Sequence, residues 1–339
     1  MTQPIDLFNP VVANNKQHPI FNLISKPEYA AERVVLNSWA EGFIDRDNKF
    51  VTEFQTTFES SMWELYIHAF LKELSFDIDL SNHAPDFVIK QPIECCIEAT
   101  IAAPELGGQA PSGEKLLAPP KDFSEFNRKS ILRICNSLSS KIKKYRKSYA
   151  SLPHVKNKPY IIAIASFDRP HAHMAVNRAI LASLYGIYVD EKKTIDTGAQ
   201  ELLKIPIDSI MKNNNANVPV GYFGNNKYSD VSAIIYSNLA TWGKIRALAK
   251  SPESTSVYTT LHPNPHDLLP EVRQSIKKDY TEHLLDGLQI YHNPYAKHPL
   301  SKNLFNHERL AQHLILDNGH MEVIAPDDFL LMRMIFSCT

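Results

Sequence analysis

Apolar positions in residues 1–49 are scattered among prolines and asparagines with only weak periodicity, which predicts an N-terminal arm carrying one short helix. From Phe50 the pattern sharpens. Phe54, Phe58, Met62, Leu65, Ala69 and Leu74 recur at close to the helical period in "FVTEFQTTFESSMWELYIHAFLKELSF", with no Gly or Pro in the run, and predict a helix. "FDIDL", "DFVIK" and "IECCIEAT" follow as three strands, the last two separated by a turn at Gln91 and Pro92. After a loop rich in Gly and Pro over 104–120, Ile131, Ile134, Leu138, Ile142, Tyr145 and Tyr149 form one stripe and predict a second helix. "YIIAIASF" is a continuous apolar run, the mark of a central strand buried on both faces.

The order α-β-β-β-α-β within about 120 residues predicts an α/β fold, a mixed central sheet flanked by helices, rather than a bundle or a barrel. Further on, "HAHMAVNRAILASLYG" reads as a helix, "DVSAIIYS" as a strand, and "LILDNGHMEVIA" as a hairpin whose Asn318-Gly319 suits a type I′ turn. No repeat or linker divides the chain. We read 1–49 as the arm, 50–190 as the core, and 191–339 as C-terminal additions packing on or extending it.

Composition narrows the function classes. The 339 residues, 44% of them hydrophobic, suffice for a large core. Lys plus Arg number 36 against 37 Asp plus Glu, so the net charge of −1 gives no global attraction to polyanions and any such site must be a local patch. The start "MTQPIDLFNP" lacks a signal-peptide pattern, no apolar run could span a bilayer, and the four cysteines form no C-x-x-C pair, so a cytoplasmic protein without membrane contact is expected. Cys95 and Cys96 are adjacent on a strand and should point to opposite faces, which favours core positions over zinc binding.

The chemistry rests on acids inside apolar strands, because an ionised carboxylate is buried only at a cost unless it is paired or holds a metal. If "DFVIK" and "IECCIEAT" form a hairpin centred on Pro92, Asp86 faces Glu98 while Glu94 faces Lys90. Directly opposed residues have Cβ atoms roughly 4.5–5.5 Å apart, suitable for two carboxylates to share one hard cation. The alternative is that these acids are solvated strand ends.

Pro85-Asp86 at a strand start, Glu98-Ala99-Thr100 on the next strand, and the α-β-β-β-α-β order together resemble the PD-(D/E)XK nuclease superfamily over about residues 50–170. That resemblance implies a restriction-endonuclease-like fold in which Asp86 and Glu98 bind Mg²⁺ (or Mn²⁺), which holds the scissile phosphate and lowers the pKa of an attacking water. Glu64 matches the helical Glu that reaches the metal in many members, with Glu59 behind it. Thr100 stands where the family usually has Lys, so either another cation has taken that role or the chemistry is weakened. RecB-like members resemble one another in a Gln-x-x-x-Tyr on the second helix; here Lys141 and Tyr145 hold that spacing, making Lys141 the candidate replacement cation and Lys144 and Tyr145 candidates for nucleic-acid contact. The competing reading of "KIKKYRK" is a basic helix end favoured by the macrodipole.

Other motifs fail on inspection. "GGQAPSGEK" has Glu114 where a phosphate-binding loop needs Lys, and the close histidines lack H-E-x-x-H spacing. "YHNPYAKHPLSKNLF" could stack on bases but reads better as a loop covering core edges. The expectation is therefore a metal-dependent nuclease acting on nucleic acid, DNA by default, with restriction, repair or defence as the roles the resemblance implies and a homodimer as an assembly to be tested. Its rival is a non-catalytic binding module on the same fold.

Overall fold

The computed structural model describes residues 5–112, 118–212, 216–251 and 253–337. Four helices open the chain, α1 (Pro19–Ile24), α2 (Ala30–Ala40), α3 (Phe50–Thr56) and α4 (Phe58–Glu73), followed by strands β1 (Asp77–Asp79), β2 (Phe87–Gln91) and β3 (Cys95–Ala102). Helix α5 (Phe123–Lys144) continues through one π turn to Tyr149 and leads to β4 (Tyr160–Ser166). Next come α6 (Arg178–Tyr185), β5 (Ile187–Val189), α7 (Glu191–Thr197), and strands β6 (Lys204–Pro206), β7 (Ser209–Met211) and β8 (Asn217–Pro219), which form two small ribbons with β5. The chain ends with β9 (Ala233–Ser237), α8 (Trp242–Leu248), β10 (Ser256–His262), β11 (Glu271–Ile276), β12 (Leu288–His292), β13 (Ala311–Ile315), β14 (Met321–Ile324) and β15 (Met332–Ser337).

Eight strands make one mixed sheet in the order β1-β2-β3-β4-β9-β12-β13-β14, with β3, β4 and β9 parallel at its centre. The C-terminal region thus extends the sheet that the first four strands begin. A separate antiparallel sheet, β11-β10-β15, packs beside it. No described helix is long and apolar enough to cross a membrane.

Each face of the main sheet carries its own core. Cys95, Ile97, Ile161 and Ala163 join the first core with α1–α4, while Cys96, Ile162 and Ile164 join the second with α5 and α6. Strand alternation explains this division, and it is why "YIIAIAS" is apolar throughout: all seven of its residues are buried. Cys95 and Cys96 are buried free thiols on opposite faces, and Cys338 lies outside the described residues.

Three expectations need correction. Residues 5–49 hold more than an arm with one short helix: they form two α-helices, and Leu7, Phe21, Ile24, Leu36 and Trp39 are buried in the first core. Gln55 ties them down; its side-chain oxygen accepts from the N–H groups of Val11 (3.0 Å) and Val12 (3.2 Å), and its nitrogen donates to the Asn9 carbonyl (2.8 Å). The first long helix is two, because Thr57 leaves helical geometry at φ −128°, ψ 54° between α3 and α4. The β13–β14 hairpin forms, but only Gly319 has positive φ there, whereas a type I′ turn needs it at both central residues. Instead the Gly319 N–H closes a turn on the Leu316 carbonyl at 2.8 Å, with Gly in the left-handed position after it.

Helix α4 is pinned to the sheet by Trp63, fully buried, whose Nε1 donates to the Ala163 carbonyl of β4 at 3.1 Å. Trp63→Phe keeps much of the packing and loses this bond, so urea unfolding should show a loss of about 1–3 kcal/mol. Unchanged stability would mean that α4 is held in place by other contacts.

Candidate functional site

The β2–β3 ladder pairs Phe87 with Ile97, Val88 with Cys96 and Ile89 with Cys95. One step further along the same register sets Asp86 against Glu98, both on the face shared by Val88 and Cys96. Glu94 comes opposite Lys90 by the same register, yet each pairs elsewhere, Lys90 with Asp79 (3.4 Å) and Glu94 with Lys158 (3.2 Å).

Glu98 is 1% exposed in the middle of β3. Lys141 Nζ donates to its Oε1 at 2.7 Å, Lys144 Nζ at 3.1 Å, and the Tyr149 hydroxyl at 3.4 Å. All three come from the end of α5 and its π turn, whose apolar stripe of Ile131, Ile134, Leu138 and Ile142 fixes the helix against the sheet. Lys141 and Lys144 are three residues apart and share one side of the helix, while Lys143 points away and is exposed. Burial works against the charge of Lys144, but its bonds to Tyr149 and Glu98 overcome this and hold its ammonium above the ordinary value. The other oxygen of Glu98, Oε2, is buried and has no hydrogen-bond partner.

Asp86 is half-buried, and its Oδ2 accepts from the backbone N–H of Ala99 at 2.7 Å. Burial, and then the negative charge of Glu98, push its carboxyl up to about 6 against the opposing pull of Lys141, the Ala99 N–H and Arg46. Glu64 reaches the same place from α4: burial and Asp86 raise it to about 8, with Arg46 opposing and Glu53 and Glu98 adding to the rise. Arg46 stands 3.8 Å from Glu64 and is anchored through its Nη1 to the Asn82 carbonyl at 2.5 Å. A cavity of about 210 Å³ opens here, lined by Asp45, Arg46, Glu53, Glu64, His83 and Asp86 among others.

The fold thus brings Asp86, Glu98, Glu64, Lys141 and Lys144 together, with Thr100 half-buried two residues along the strand from Glu98. Tyr145 does not join them as a nucleic-acid contact. It is 7% exposed and stacks on Tyr160 with ring centroids 4.1 Å apart, because it belongs to the apolar stripe. Glu59 is also elsewhere, accepting from Ser112 (2.6 Å) and pairing with His18 (3.1 Å). Arg46 and Tyr149 escaped the sequence reading. Tyr149 was visible as a stripe residue, and only its hydroxyl at the stripe's end hinted at a polar partner; Arg46 sits in "DRDNK", which carries no motif.

Among the described residues, no group of three or more His, Cys, Asp or Glu stands in an array ready to hold a metal ion. Lysine ammonium groups occupy the one oxygen of Glu98 that is engaged. Comparison of the chain with family models, with curated proteins and with solved structures finds no match in any of the three.

A raised carboxyl pKa sets the direction of a pH effect. With Glu64 at about 8 in the folded chain against 4.5 as its ordinary value, the native state holds a proton that the unfolded state releases between those limits, so stability falls as pH rises through that window. Glu64→Gln removes this loss. In metal-free buffer with chelator, urea melts should show parent and variant close at pH 4 and the variant more stable by at least about 1 kcal/mol at pH 8.5. Parallel stability curves would contradict the assignment of Glu64 to this acidic cluster.

Proposed function

We propose that this chain is a metal-dependent phosphodiesterase of restriction-endonuclease-like type, a nuclease with DNA as its default substrate. The observation carrying the reading is the β2–β3 register, which sets Asp86 against Glu98 while Lys141 lies 2.7 Å from Glu98. The α-β-β-β-α-β order at the front of the sheet is consistent with that type of core.

The residues fit a divalent cation in two respects. Glu98 keeps a buried oxygen without a partner, and Asp86, Glu98 and Glu64 repel one another in a way that a cation would relieve. Mg²⁺ or Mn²⁺, held by Asp86 and Glu98 with Glu64 beside them, would supply Lewis-acid polarisation of the phosphodiester and a lowered water pKa. Around it, the Ala99 N–H orients Asp86, and Lys141 provides the positive charge that Thr100 lacks, placed to face a phosphate when it leaves Glu98. Lys144 adds positive charge at the helix end, where a polyanion backbone could lie.

A specific observation favours the second reading, a nuclease fold retained as a binding module: Glu98 is enclosed by two lysines and the described acids form no ready ligand array. Cleavage of plasmid and single-stranded DNA in Mg²⁺ and Mn²⁺ separates the two. On the enzymatic reading Asp86→Ala and Glu98→Ala each abolish metal-dependent cleavage, and a variant that cuts like the parent would overturn the ligand assignment.

Lys141→Ala should lower the rate by about a hundredfold or more with little change in metal affinity, since its effect belongs to the transition state. Lys143→Ala is the control, and adding Thr100→Lys to Lys141→Ala should restore part of the activity. Equal behaviour of the Lys141 and Lys143 variants would reduce the lysines to a solvated helix end. A silent parent that Thr100→Lys turns into a nuclease would establish the binding-module reading.

A further inference from the structure

A second cavity, of about 780 Å³, lies beyond the carboxyl end of β4, where Phe167 to His173 leave the sheet, and is closed by α1, α4 and the start of α8. Its volume falls within the range of roughly 300–1,000 Å³ usual for small-molecule pockets, and the crevice outside the carboxyl ends of parallel strands is where open α/β sheets bind ligands. The walls are mostly apolar, built from Ile20 and Leu23 on α1, Phe58 and Met62 on α4, Phe167, and Trp242 on α8.

One cationic group on this wall is held for use. The Arg169 Nε donates to Asp168 Oδ2, and that carboxylate is buried and also accepts from Ser130 Oγ of α5 at 3.1 Å. The guanidinium lies over the Phe126 ring, 5.4 Å from its centroid. Nε alone is engaged. Among the described residues the Nη1 and Nη2 donors of Arg169 meet no acceptor, which leaves the end-on fork that suits a carboxylate or another oxyanion. The Oδ1 of Asp168 is buried without a partner, so the pair is not a closed, fully satisfied bridge.

Two other titratable groups on the wall, Glu59 and His173, bring no uncompensated positive charge. Glu59, the acid among the lining residues, already has both oxygens engaged, one 3.1 Å from His18 Nε2 and the other accepting from Ser112 Oγ at 2.6 Å. His173 is kept uncharged by burial, and then by the nearby charge of Arg333, at about 4.

We propose that this cavity is a binding site for a small organic anion with an apolar body, its acid group on the Arg169 fork and its body against Phe58, Met62, Phe167 and Trp242. The site is separate from the Asp86–Glu98 pair and does not depend on the nuclease reading. Position matters as much as charge: Asp168 and Ser130 fix the guanidinium at one wall, so the ligand's charge and its apolar bulk must be on the same molecule.

The test uses 8-anilinonaphthalene-1-sulfonate as the anionic probe and N-phenyl-1-naphthylamine, the same aromatic skeleton without the sulfonate, as the neutral one. Calorimetry and dye fluorescence on the intact chain should give one saturable site for the sulfonate, with the neutral dye at least about tenfold weaker. Arg169→Lys keeps the ion pair with Asp168 but loses the fork, and should weaken the sulfonate at least about fivefold while leaving the neutral dye unchanged. Leu23→Trp, at a half-buried position on the α1 wall, should fill the cavity and abolish binding of both dyes while circular dichroism stays that of the parent. Absence of saturable binding, equal affinity for the two dyes, or sulfonate binding indifferent to both substitutions would each overturn the proposal.

Discussion

A carboxylate in the middle of a central strand, almost without solvent, is the constraint around which this molecule is arranged. Glu98 is sustained there by Lys141, Lys144 and Tyr149, all delivered by the end of one helix. Removing water from an ion costs several kcal/mol unless charged and hydrogen-bonding partners replace it, so α5 must end where it does and in that rotation. The apolar stripe of α5 supplies the rotation, and the pairing of β2 with β3 brings Asp86 to the same point from the other side. The acids therefore stand at the meeting of a ladder register and a helix packing, two features that few local substitutions could shift independently.

On the function proposed above, the same arrangement would give the site two states in chemical terms. With lysines on Glu98 its charge is compensated within the chain, while Asp86 and Glu64 hold protons more tightly than free carboxyls do. A divalent cation would compensate the three acids together and free the lysines for an anionic substrate. The larger apolar cavity is built on a different principle, with a single oriented guanidinium set into a hydrophobic wall.

How much of this was legible in the sequence follows from the range of the forces involved. The β2–β3 register could be read because side chains alternate with a period of two and a one-residue slip would exchange the faces. For the same reason Cys95 and Cys96 could be assigned to opposite cores. The contact of Lys141 with Glu98 was approachable because Lys141 borders a stripe whose buried face was plain. The N-terminal segment misled because its attachment is not periodic: Gln55 reaches back more than forty residues to bare N–H groups, a bond that leaves no local signature. Tyr145 misled because an aromatic beside lysines has the composition of a nucleic-acid contact and the spacing of a core residue, and packing on Tyr160 decided for the core. The joining of β9, β12, β13 and β14 to the first four strands was equally hidden, since short strands far apart in sequence carry no record of their neighbours.

The most direct measurement is a calorimetric titration with Mn²⁺ at pH 7, run in two buffers of different ionisation enthalpy, on the parent chain and on Glu98→Gln. The account predicts saturable binding by the parent accompanied by proton release, because Glu64 at about 8 would lose its proton to the buffer when a cation binds beside it, and loss of that binding in the variant. Binding of equal strength in both proteins, or no binding by the parent, would contradict it.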